Sequence, residues 1–227
     1  MAGSLADAAR SDKVQIMPET QAPTLTDRLR AHTQAPLDRL GAGLARLGLQ
    51  ADQVTIFGLL LVGLAALLLA QGAFLAGALL MLCSLPLDAL DGAVARAAGR
   101  ESRFGMVLDS TLDRYADGFI FAAFGYYFAE AGRMDMLAVA LVALLGSFMV
   151  SYIRARADDA KVAVKTTVGL FTRLERVLVL LVMTFAAGIS QSPAPVEVGL
   201  LLLAAGTNLT ALQRLRFVHR TLKGRGE

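Results

Sequence analysis

Tryptophan is absent from this chain of 227 residues, cysteine occurs once, and charged residues make up only 18%. The lone Cys83 lies in an apolar run, so no intrachain disulfide can staple the fold. Without tryptophan, any aromatic belt at a membrane surface must rest on four tyrosines and on basic side chains. The two histidines, His32 and His219, stand alone in basic terminal segments and read as surface residues rather than catalysts. Residues 1–24 lack an apolar h-region and carry Asp7, Asp12 and Glu19, so no cleavable signal is expected and a polar, disordered lead is.

What fills the chain instead is hydrocarbon. Hydrophobic residues reach 56%, above the roughly 45–50% of soluble domains, and mean hydropathy is positive. Several runs attain the roughly 20 apolar residues needed to cross a bilayer. The expected fold class is all-α integral membrane: six transmembrane helices preceded by an amphipathic juxtamembrane helix. Residues 25–50 form that surface helix, with Leu37, Leu40, Leu44 and Leu47 at helical spacing and Arg39 and Arg46 alongside. Residues 51–217 form a six-helix transmembrane catalytic domain. Its spans are about 54–70, 74–98 (bent at Pro86), 104–129, 136–157, 174–189 and 196–215. Residues 218–227 are a basic cytoplasmic tail.

Six spans put both termini on one side. Of 22 Lys and Arg residues, only Arg133 falls on the opposite side. By the positive-inside rule, both termini and the acidic cluster described next face the cytoplasm across the cell membrane. The net charge of +3 therefore reflects cytoplasmic loops, and no nucleic-acid partner is expected.

The chemistry concentrates between Asp88 and Asp113. Asp88 and Asp91 are three residues apart and Asp109 and Asp113 four apart, so on helices each pair shares one face. Four carboxylates in segments otherwise rich in Leu, Ala and Val would be costly without compensation, so a hard divalent cation is the expected partner. Asp117 continues the face of Asp109 and Asp113. It is expected to pair with a basic side chain such as Arg114 or Arg154.

The spacing D-x2-D-G-x2-A-R-x8-G-x3-D-x3-D, filled by Asp88, Asp91, Gly92, Ala95, Arg96, Gly105, Asp109 and Asp113, resembles the signature of the CDP-alcohol phosphatidyltransferases. The resemblance extends over roughly residues 37–217. It implies transfer of the phosphatidyl group of CDP-diacylglycerol to an alcohol, with release of CMP. It also implies Mg²⁺ (or Mn²⁺) on Asp88, Asp91, Asp109 and Asp113, with Asp113 as catalytic base, and a homodimer in membrane lipid. Nucleotide contacts would come from Gly92, Ala95, Arg96, Ser102 and Gly105, and from Asp52, Gln53 and Thr55 at the entry to the first span. There Gln50 or Ala51 stands where the family has proline. Asp52 would also cap the first span's helix.

Ser151, Arg154, Arg156, Arg173 and Arg176 resemble the branch that makes phosphatidylinositol phosphate or its archaeal ether-lipid counterpart. That resemblance implies a phosphorylated polyol, inositol 1-phosphate, as acceptor, held by arginine forks. Glycerol 3-phosphate is the competing acceptor. An intramembrane prenyltransferase would separate its two acidic motifs widely, whereas Asp91 and Asp109 are 18 residues apart. A metal transporter would bury its acids at mid-membrane, away from a basic loop.

Overall fold

The computed structural model describes residues 25–99, 102–164 and 168–226, with side chains from residue 36 onward except at Asp88. The lead expected to be disordered, residues 1–24, and the side chain of His32 lie outside the described residues. The chain divides into two units, Met1–Pro36 and Leu37–Glu227. In the first, the described part is the opening of a helix that starts at Leu25.

Seven helices run through the described residues: α1 (Leu25–Arg46), α2 (Ala51–Ala70), α3 (Phe74–Ala97), α4 (Arg103–Glu130), α5 (Met134–Asp159), α6 (Arg173–Ser190) and α7 (Ala194–Arg225). The surface helix ends at Arg46, four residues short of expectation. Gly48 adopts a left-handed φ of 85°, and the Leu49 amide turns back to donate to the Leu44 carbonyl at 3.1 Å. Leu40 and Leu47 point away from the protein, while Gly41 is buried.

Helices α2, α3, α5 and α7 are long and apolar enough to cross a membrane. Of the remaining three, α4 and α6 are interrupted by charge. Asp109, Asp113, Arg114 and Asp117 occupy the first half of α4, and α6 opens on Arg173, Glu175 and Arg176.

Among the described residues, α2–α7 close into a ring in the order α3, α2, α4, α5, α7, α6, each packed against the next. Helices α4 and α6 thus stand opposite one another. The ring is filled by Ala65 and Leu69 of α2, Phe124 and Phe128 of α4, Ala140 of α5 and Leu200 and Leu203 of α7, all almost wholly buried. Away from the charged ends, the turns after α2 and α4 close the same way. Gly72 and Gly132 take positive φ, and the next amides donate to Leu68 and Phe128 carbonyls at 2.9 and 2.8 Å. The Arg133 guanidinium donates to Asp135 and Glu197 and so ties the α4–α5 turn to α7. Those hydrogen bonds, to Asp135 first, raise the Arg133 pKa.

Helix α7 continues unbroken past residue 217, where a separate tail was expected. Val218 and Leu222 pack against Val162 and Val164 of the α5–α6 loop. Earlier along α7, Thr210 Oγ1 accepts from the Phe171 amide at 2.9 Å. Arg214 donates to the Val150 and Val168 carbonyls at 2.8 and 3.0 Å. The last helix therefore fixes both sides of the segment leading into Arg173.

Candidate active site

The acidic residues come from two helices, α3 and α4, that stand on either side of α2 in the ring. Asp91 on α3 is buried, and its carboxylate accepts from the Thr55 hydroxyl of α2 at 2.8 Å and from the Gly92 amide. Asp109 and Asp113 lie one turn apart on α4, both partly buried. Asp113 is paired with Arg173 of α6, across the ring, and more loosely with its neighbour Arg114 at 3.4 Å. Asp88 lies on α3, but its side chain is outside the described residues. Among the described residues no three Asp, Glu, His or Cys side chains already converge as a metal cage. The donor chemistry nonetheless suits a hard cation. Asp91, Asp109 and Asp113 offer only carboxylate oxygens, and the one cysteine, Cys83, is exposed.

A cleft of about 680 Å³ opens between the end of α1, the start of α2, the end of α3 and Ser102. Asp52, Ala95 and Ser102 line it. Ser102 caps α4, its hydroxyl accepting from the Gly105 amide at 2.8 Å. A Cβ on Gly105 would sit 3.1 Å from that hydroxyl and 3.7 Å from Asp52 Oδ1, so glycine keeps this wall close to the α2 entry. Asp52 is not the cap of α2. Gln50 takes that position with extended backbone (φ −95°, ψ 149°), and its amide donates to the Gln53 side chain at 3.0 Å. Asp52 falls in the first turn instead, where its charge suits the helix N-terminus. Arg96 folds back over Gly92 and pairs with Asp38 of α1 at 2.9 Å.

The second-half arginines divide. Arg176 is 5% exposed and is committed inward. Its guanidinium pairs with Asp117 at 3.2 Å and donates to the Ser147 carbonyl and hydroxyl. The Ser147 hydroxyl donates to Asp117 at 2.6 Å. Asp117 is thus held by α6, not by Arg114 or Arg154 as its spacing suggested, because α4 faces α6 across the ring. Arg156 points out to Asp159 at 2.7 Å. Arg154 is exposed and Ser151 partly buried on the same end of α5. Of the expected acceptor residues, Arg173 pairs with an acid of the signature, Asp113. Ser147 and Arg214 were not singled out from the sequence, although a serine one turn before Ser151 in an apolar span is a readable sign.

Residues 49–211 match the CDP-alcohol phosphatidyltransferase family model. The chain belongs to that family. Like the rest of the CDP-alcohol phosphatidyltransferases it is a transferase of phospholipid biosynthesis, built on membrane helices. Among similar family members is archaetidylinositol phosphate synthase of Pyrococcus horikoshii, 38% identical over 84% of this chain and 95% of that one. Another is phosphatidylinositol phosphate synthase of Streptomyces avermitilis, 35% identical over 84% and 81%. The crystal structure of Mycobacterium tuberculosis phosphatidylinositol phosphate synthase with CDP-DAG bound aligns with a TM-score of 0.74 at 34% identity, covering 80% of this chain and 92% of that one. The same enzyme in complex with manganese and citrate aligns with a TM-score of 0.73, at 34% identity over 80% and 88%.

Proposed function

We propose that this CDP-alcohol phosphatidyltransferase transfers the phosphatidyl group of CDP-diacylglycerol to inositol 1-phosphate. The observation that carries the reading is Asp113 facing Arg173 across the ring, one turn from Asp109. That arrangement sets a proton acceptor next to a fork suited to a phosphorylated alcohol. The names of the similar synthases support the same acceptor.

In this reading the acceptor hydroxyl attacks the lipid-side phosphorus and gives its proton to a carboxylate oxygen of Asp113. The bond from that phosphorus to the bridging oxygen breaks, and CMP leaves with that oxygen. Asp88, Asp91, Asp109 and Asp113 would hold divalent metal, Mg²⁺ or Mn²⁺, which when bound neutralises diphosphate charge. The cleft at Asp52, Ala95 and Ser102 takes the nucleotide, with Gln53, Thr55, Gly92, Arg96 and Gly105 shaping its walls. Arg173 orients the acceptor phosphate, together with exposed Arg154. Arg176 acts from behind, by holding Asp117. The lipid chains lie in the bilayer. The charged openings of α4 and α6 sit at the cytoplasmic interface, and α2–α7 make six spans with both termini cytoplasmic, α1 at the membrane surface and residues 51–217 as the catalytic domain. A homodimer is the assembly proposed.

The test is CMP release from CDP-diacylglycerol in Mg²⁺ or Mn²⁺, with inositol 1-phosphate, glycerol 3-phosphate, inositol and serine offered separately. Release that needs inositol 1-phosphate supports the reading. Release that needs glycerol 3-phosphate instead replaces the acceptor and keeps the reaction class.

Two substitutions separate the parts of the site. Arg173→Ala should raise KM for inositol 1-phosphate about 10–100-fold, the range for losing a charge-assisted bond, with little change in KM for CDP-diacylglycerol. Thr55→Val removes the hydroxyl that orients Asp91. It should weaken Mn²⁺ binding roughly tenfold or more, read directly by paramagnetic resonance or calorimetry without turnover.

A further inference from the structure

One cation at the nucleotide cleft has no part in the chemistry above. Arg46, in the last turn of α1, lines the cleft together with Asp52 and Ser102. Among the described lining residues it is the only positive charge. It is exposed, and among the described residues it has neither an ion-pair nor a hydrogen-bond partner. Arg96, the cation supplied by the signature, is in a different state, since Asp38 already compensates it.

The position of Arg46 is built, not loose. Gly41, just over one turn earlier, lies so close to α3 that a Cβ there would come within 2.7 Å of Ala93 atoms. Backbone-to-backbone contact of this kind fixes where the following turn lies. The Asp38–Arg96 pair makes a second attachment of α1 to α3. Gly48 then turns the chain sharply back into α2, so Arg46 stands at the corner between the two helices. The cleft has the size of a small-ligand site. It offers polar groups at Gln50, Asp52 and Ser102 and one uncompensated guanidinium. An anionic ligand entering it would exchange a solvated arginine for a charge-assisted contact.

We infer that the surface helix completes the nucleotide site through Arg46, whose guanidinium binds the phosphate of the bound cytidine nucleotide. The inference rests on the proposed nucleotide role of this cleft. It makes α1 a wall of the active site and not only a membrane-surface element.

The test measures binding of CMP and of cytidine, by calorimetry, to the full-length protein in detergent with Mn²⁺. Arg46→Ala, Arg46→Gln and Arg46→Lys are compared with the wild type, and thermal melts establish that each is folded. The expected result is CMP affinity about tenfold weaker in the alanine and glutamine variants, the worth of one charge-assisted bond. The lysine variant should recover most of that loss, and cytidine affinity should be the same in all four proteins. If wild-type protein binds CMP and the alanine and glutamine variants match it, the inference is overturned while the proposed function stands. Equal weakening toward CMP and cytidine also overturns it, because the contact is then not to phosphate. If folded wild-type protein binds no CMP, the reading of the cleft fails and the inference with it.

Discussion

Asp113→Asn should lower CMP release from CDP-diacylglycerol by about a thousandfold, within the 10²–10⁴ range of a general base. The asparagine keeps the size of the side chain but cannot take the acceptor proton. The substitution also removes the charge that Arg173 faces. If Asp113 served only to hold Arg173, the loss would show as a raised KM for inositol 1-phosphate, and saturating acceptor would restore the rate. If it takes the proton, the rate stays low at saturating acceptor. Stopped assays with inositol 1-phosphate saturating would separate the two, and a melting curve on each variant would show that the fold is kept.

The second large effect concerns stability. Arg176 and Asp117 form an ion pair with Ser147 inside the ring, and the arginine is almost wholly enclosed. Removing one partner strands the other charge in a low-dielectric interior. Arg176→Ala should therefore cost about 3–5 kcal/mol, and Asp117→Ala a similar amount. Replacing both, as Asp117→Leu with Arg176→Met, should recover much of the loss, since an apolar pair of similar volume needs no compensation. Thermal unfolding in one detergent gives all three values. A double variant no better than the single ones would mean that the pair acts through shape rather than charge.

The acidic signature was readable because its meaning is local. Three- and four-residue spacings put Asp88 with Asp91 and Asp109 with Asp113 on single faces of α3 and α4, whatever the rest of the chain does. The seven helices follow from hydrophobic periodicity and from turn glycines such as Gly72 and Gly132. The partner of Asp117 was not readable in the same way. Arg176 lies 59 positions further on, and only the ring order sets α6 opposite α4. The same holds for Asp38 and Arg96, which belong to helices separated by α2 in the chain. The entry to α2 was misjudged at Asp52 because an acidic residue near a helix start suits the first turn as well as the cap. The backbone at Gln50 decides between them.

The length of α7 carries a consequence of its own. Thirty-two residues of helix extend about 48 Å at 1.5 Å per residue. A hydrocarbon core is roughly 30 Å thick, so an appreciable part of α7 protrudes as a post. The α5–α6 loop leans on that post through Val162 and Val164, and the loop delivers Arg173 to the acids. Cutting the chain at residue 217 would take Val218 and Leu222 away from Val162 and Val164. On the proposed reading, selection of the acceptor alcohol would then loosen while nucleotide binding at the α1–α2 cleft is kept.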